Sequence, residues 1–297
     1  MSYIEEGNIE DVKISFARKA LGIVTALLKC AAGVVILVGT EFLVMVVMYM
    51  CGLDPDIYNG VYSAVSSVIG IVFLYLFSLV EGTIVNKKKS HLIRFNKPDP
   101  KSFLYAVVIG FALLGIVQVY LIAASLISEY FEPVNEAVQE YSESMDVYKE
   151  EIVYPFWDKI LYIVAIVFMV PIAEEFAFRG IMYGAVNRRL NAAWAVGISA
   201  AIFGLLHGIS IHIGYALISG FIIGAAYYVF DNIFVTAVIH GVFNLFGSAI
   251  YYIAELFGIS EERVPSMFLV KFAMFLPAAL ILAQGITARR RTKNEQA

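Results

Sequence analysis

Apolar runs long enough to cross a bilayer alternate along the chain with short polar breaks, a pattern that predicts helices rather than strands. The runs fall at about 30–50, 61–80, 103–127, 157–186, 192–209, 213–230, 233–253 and 267–286. They predict an all-α polytopic membrane bundle of about eight transmembrane helices. The first apolar stretch, 21–50, is too long for a signal-peptide core and lacks a small-x-small cleavage site, so it is expected to be retained. Lys13, Arg18, Lys19 and Lys29 among apolar residues predict a short interfacial helix feeding it. The longest polar stretch, 128–154, carries eight carboxylates between Glu129 and Glu151 against one lysine, Lys149, and reads as a solvated loop.

Composition agrees with this pattern. Of 297 residues, 60% are hydrophobic and 15% charged, with mean hydropathy +0.79, whereas soluble domains carry about 25% charged residues. The net charge of −4 matters less than how the charges are sorted. Lys87, Lys88, Lys89, Arg94, Lys97 and Lys101 follow the second run, Arg188 and Arg189 the fourth, and Arg289, Arg290, Arg291 and Lys293 the eighth. The loops after the first, third and seventh runs are neutral or acidic. The positive-inside rule then predicts a multi-pass protein of the cell membrane with both termini in the cytoplasm. The basic clusters read as topology signals first and anionic-lipid contacts second, with no nucleic-acid partner. Cys30 and Cys51 form no CxxC and no disulfide framework.

Against this background the segment Glu174-Glu175-Phe176-Ala177-Phe178-Arg179-Gly180 stands out, because it lies inside the fourth run. A charge at the bilayer centre costs about 3 kcal/mol, so such groups must be partnered. A spacing of four puts Glu175 and Arg179 on one helix face as an ion pair that would tune Glu174, which is turned about 100° away. Three further polar side chains lie in later runs: His207 after Phe203, and His240 with Asn244 one turn on. Counted from the cytoplasmic ends, Glu174 lies about 20 Å up, His207 about 22 Å, His240 about 12 Å and Asn244 about 18 Å. Three helices thus place their strongly polar groups in one band. Pro171, one turn before the charged pair, predicts a kink. Glycines at 204, 208, 214, 220 and 224 predict close packing of the fifth and sixth spans.

A glutamate beside a histidine can deprotonate water, and an imidazole with an amide can donate hydrogen bonds to a forming oxyanion. The same groups could hold a divalent metal such as zinc, since Glu, His and His leave one position for water. Structural readings compete: a packing lock for Glu175 and Arg179, a structural histidine at 207, and interhelical glue for His240 with Asn244. Glu41, Lys29, Gln118, Glu81 and Lys271 read as structural or snorkelling groups, and His91 and His212 receive no role. No His-Glu-x-x-His, Gly-x-Ser-Gly or Gly-x-Gly-Asp pattern occurs, which excludes the corresponding zinc, serine and aspartyl chemistries.

The set Glu174-Glu175-x-x-x-Arg179, Phe203-x-x-x-His207 and His240-x-x-x-Asn244 on successive helices resembles the CPBP family, the CAAX proteases and bacteriocin-processing enzymes also called the Abi family. The resemblance spans roughly 157–253. It implies an intramembrane endopeptidase acting on a lipidated or transmembrane peptide or protein, with Glu174 as general base, His207 assisting, His240 and Asn244 as the oxyanion site, and Glu175 and Arg179 in support. It leaves open a metal-dependent or a metal-free mechanism. The expected organisation is an N-terminal segment 1–20, three spans and the acidic loop over 21–156, a catalytic core 157–254, and a last span with basic tail over 255–297. The rival readings are a non-enzymatic immunity or peptide-binding membrane protein and, ranked last, an ion-coupled transporter.

Overall fold

The computed structural model describes residues 3–85, 91–147, 155–208 and 211–295. Helix α1 (Tyr3–Met50) is followed by α2 (Asn59–Val80), α3 (Lys101–Ser128) and α4 (Glu132–Val147). Next come α5 (Phe156–Asn187), α6 (Ala192–Leu206), α7 (Ile211–Phe230), α8 (Ile233–Leu256), α9 (Phe268–Ala273) and α10 (Phe275–Glu295). Among the described residues seven helices are long and apolar enough to cross a membrane, and α6 is a shorter apolar helix. The chain is an all-α polytopic bundle.

Four elements differ from the pattern read in the sequence. No separate interfacial helix precedes the first span, because α1 is continuous over 48 residues. The stretch expected as a solvated loop holds α4. Glu132, Glu136, Glu140 and Glu143 face outward, while Val134, Val138 and Tyr141 form a half-buried opposite face, so the acids mark one side of an amphipathic helix. Helix α6 ends at Leu206 rather than 209, because Gly208 at φ +92 leaves the helical region. The last span breaks at Met274, since Pro277 has no N–H to bond the carbonyl of Ala273.

Local chemistry sets where the spans begin, end and meet. Gly52 at φ +73 closes α1 with paired bonds from Gly52 N–H to the Tyr49 carbonyl and from Leu53 N–H to that of Met48. Helix α2 has no capping side chain of its own. Asp158 of α5 supplies one instead, accepting from the N–H groups of Gly60 and Val61, each at 2.8 Å. Buried hydroxyls bond carbonyls of their own helices, as Thr40 does with Ile36, Ser67 with Ser63 and Ser219 with Tyr215. Of the glycines expected to pack closely, Gly204, Gly220 and Gly224 do so between α6 and α7, while Gly214 faces Tyr120 of α3. At one end of the bundle Glu81, 3% exposed, joins Lys29 and Arg188, and Asp231 joins Arg94 and Arg289. Lys271 donates to Gln118 at 3.4 Å, tying α9 to α3. Removing the cross-helix cap by Asp158→Ala is expected to lower the stability of the detergent-purified protein by about 1–2 kcal/mol, read as a fall in thermal melting temperature. Asp158→Asn should lose less.

Candidate active site

Helix α5 carries the charged segment, and it is irregular on both sides of it. The turns Ala165–Met169 and Phe176–Tyr183 are π-helical, flanking the regular turn Val170–Glu175. Such turns are rare and concentrate at functional sites. Pro171 contributes to the first by having no N–H, which leaves carbonyls of the preceding turn for other partners. Helix α8 supplies them. Asn244 Nδ2 donates to the Ile166 carbonyl at 2.8 Å, and Gly241 lies so close to α5 that a Cβ there would come within 2.5 Å of the Val167 oxygen. The missing proton of Pro171 and the missing side chain of Gly241 therefore dock the two helices.

This docking brings four charged or titratable groups into one cluster. Arg179 Nη1 lies 3.0 Å from Glu175 Oε1, with the two side chains 1% and 0% exposed. Arg179 Nη2 donates to the Gly220 carbonyl of α7 at 3.2 Å, and the guanidinium lies over the rings of Phe178 and Phe203 at 5.9 and 5.3 Å. His240 stands between the adjacent glutamates: Nδ1 is 3.4 Å from Glu175 Oε1 and Nε2 is 3.5 Å from Glu174 Oε2. Whichever ring nitrogen carries a proton faces a carboxylate. Phe203 connects this cluster to His207, with ring centroids 5.9 Å from His240 and 4.4 Å from His207. His207 sits at the C-terminal end of α6. Its Nδ1 donates to the Phe203 carbonyl at 2.8 Å, because a carbonyl can only accept, and Nε2 is left as the acceptor.

Glu174, Glu175, Arg179 and His240 are thus gathered directly, His207 joins through Phe203, and Asn244 is one turn along α8 with one of its two donors on Ile166. Spacing revealed the Glu175–Arg179 pair. It could not reveal His240 placed between both glutamates, nor the carbonyls of Ile166 and Gly220, since those contacts lie between helices.

Residues 156–246 match the family model described as Type II CAAX prenyl endopeptidase, Rce1-like, a little under a third of the chain. This part of the chain is similar to the CAAX-protease family. The match begins at the start of α5 and ends just past Asn244, so it takes in every residue of the cluster. No curated protein and no solved structure matches the chain. The match and the apolar helices together support a CAAX-type protease held in the membrane by several spans.

The side chains of this segment, as placed, do not fit a zinc ion. Both nitrogens of His240 face carboxylates, Nδ1 of His207 is bonded to a carbonyl, and no three His, Cys, Asp or Glu among the described residues gather as a ligand set. Beside the cluster, between α5 and α8, lies an apolar hollow of about 230 Å³ lined by Val167, Phe168, Ile172, Phe234, Val238 and Gly241 among others. Arg179→Met should strand the buried Glu175 charge and cost about 3–5 kcal/mol, measured by thermal unfolding in detergent. Removing both charges in Arg179→Met/Glu175→Leu should recover most of that loss. A double variant no more stable than the single one would mean the pair does not act as a unit.

Proposed function

We propose that the chain is an intramembrane endopeptidase that hydrolyses peptide bonds with a water activated by Glu174. The observation that carries this reading is the asymmetry of two adjacent carboxylates. Glu175 is sealed, 0% exposed and paired with Arg179, whereas the Glu174 side chain keeps 18% of its surface accessible. A sealed, paired glutamate can only hold its neighbours, while an accessible one can meet a water and a substrate.

In this mechanism Glu174 takes a proton from water as the oxygen attacks the scissile carbonyl, and the acceptor Nε2 of His207 helps to orient that water. The oxyanion receives hydrogen bonds from the second N–H of Asn244 and from His240 Nε2–H, which Glu174 releases once it has taken the proton of the water. Glu174 then returns the proton to the leaving amine. Glu175 and Arg179 position Glu174 and His240. No step passes through a metal.

The substrate is a lipidated or transmembrane peptide or protein. The family description names a prenyl endopeptidase, and the apolar hollow touching Gly241, the neighbour of His240, gives a lipid chain somewhere to lie beside the scissile bond. The basic loops 87–101, 188–189 and 289–293 favour both termini in the cytoplasm. The catalytic core is 157–254, with the helices before and after it as its frame.

In proteoliposomes Glu174→Gln should abolish cleavage of lipidated and transmembrane peptides, a loss of at least about 10²–10⁴-fold, while melting as the native protein does. The same cleavage should survive a chelator. Cleavage retained by Glu174→Gln would rule out its role as base, and no cleavage by the native protein across a broad library would favour a peptide-binding or immunity role. Filling the hollow with Val238→Trp should raise KM for a lipidated peptide by about tenfold relative to its unlipidated counterpart; an equal change for both would remove the lipid from the hollow.

A further inference from the structure

Glu41 lies on α1, outside the segment that carries the candidate site. Its neighbours on that helix show which way it faces. Cys30, Gly33, Thr40, Val44 and Met48 form the buried stripe of α1. Glu41 is exposed and falls on the flank of that stripe, one turn from each of the half-buried Leu37 and Met45. It therefore stands at the rim of the helix contact.

Helix α1 runs antiparallel to α5, and three contacts fix the register. A Cβ at Gly22 would meet the Arg189 side chain at 3.2 Å, Cys30 Sγ lies 3.9 Å from the Met182 carbonyl, and a Cβ at Gly33 would meet Ile181 at 3.4 Å. Residue numbers across this seam sum to nearly the same value, so two further turns of α1 bring Glu41 level with Glu174.

Space is available within about two turns of this level. Helix α2 is fixed to α5 where Gly60 and Val61 bond Asp158. Ten residues further on, Gly70 stands within about two turns of Glu174. Gly70 is buried, yet a Cβ there would meet nothing within 4 Å.

Charge is unbalanced at the same place. Glu41 makes no hydrogen bond or ion pair among the described residues. The cation nearest to Glu174 along α5, Arg179, is committed to Glu175 and the Gly220 carbonyl. Two carboxylates at one level of an apolar bundle repel, and a positive group between them would relieve both.

We propose that Glu41 is a specificity-determining residue of the Glu174 site and receives a lysine or arginine side chain of the substrate peptide beside the scissile bond. This rests on the protease reading above. It makes the cleft favour basic peptides and reject acidic ones.

The test uses three transmembrane peptides identical except for Lys, Leu or Glu beside the cut, with the full-length protein in proteoliposomes. The native protein should cleave the Lys peptide with kcat/KM about tenfold above the Leu peptide. Glu41→Gln should bring that ratio to within about twofold, through KM for the Lys peptide, and Glu41→Lys should favour the Glu peptide. A ratio unchanged in Glu41→Gln, or an equal loss on all three peptides, would overturn the proposal, the second by showing that Glu41 acts on Glu174 rather than on substrate. Binding of the same labelled peptides to Glu174→Gln, with and without Glu41→Gln, separates the two readings. A Lys preference in binding that needs Glu41, without cleavage by the native protein, would sink the protease and keep the subsite. No such preference would sink the subsite alone.

Discussion

A buried ion pair holds this bundle to its purpose. Arg179 and Glu175 are both sealed from solvent, and in an apolar interior neither charge could stay without the other. The guanidinium does more than neutralise its partner. It reaches the Gly220 carbonyl of α7 and lies over Phe203 of α6, so one side chain of α5 ties three helices together. Glu175 in turn shares its Oε1 with His240 of α8. The helices of residues 156–246 therefore meet through polar and ring contacts that water would weaken and the bundle's interior strengthens.

The irregular backbone of α5 follows from the same requirement. A uniform helix would present Glu174 and Glu175 on faces fixed by its period and would offer no free carbonyls. The π turns on either side of the pair, together with Pro171, open the backbone where α8 approaches, and Asn244 and Gly241 close the gap. Non-helical hydrogen bonding at membrane depth survives only where protein groups satisfy it. Here they do, and the helix that satisfies it is the one that carries His240. The break and the cluster are parts of one arrangement.

The remaining helices act on that arrangement from its edges. Helix α2 is anchored through Asp158, α1 follows α5 in a glycine-spaced register, and Glu81 and Asp231 gather basic residues at one end of the bundle. Leu92 and Ile93 press into α5 where Gly180 and Gly184 leave room. Many of the arginines that mark topology in the sequence thus also hold the cluster's frame. Arg188, for one, binds both Glu81 and the His91 carbonyl.

Periodicity and composition determined by themselves that the chain is a helical membrane bundle and where most spans lie, and they placed Glu174, His207, His240 and Asn244 in one band of it. These are properties of local spacing and of the cost of charge in an apolar environment, and both can be read along one dimension. Residues 132–147 misled as a loop because their charge hid the Val134, Val138 and Tyr141 face that makes α4 amphipathic. The ends of α6 and α9 depended on a backbone angle at Gly208 and a lost bond at Pro277, which a hydrophobic run does not register. Only the tertiary structure decided that His240 stands between the two glutamates, that Glu175 is sealed while Glu174 is accessible, that Asn244 bonds the Ile166 carbonyl, and that Glu41 comes level with the site. Each depends on which helices pack and in what register, and that is set by contacts between residues dozens to more than a hundred positions apart, which no local pattern encodes.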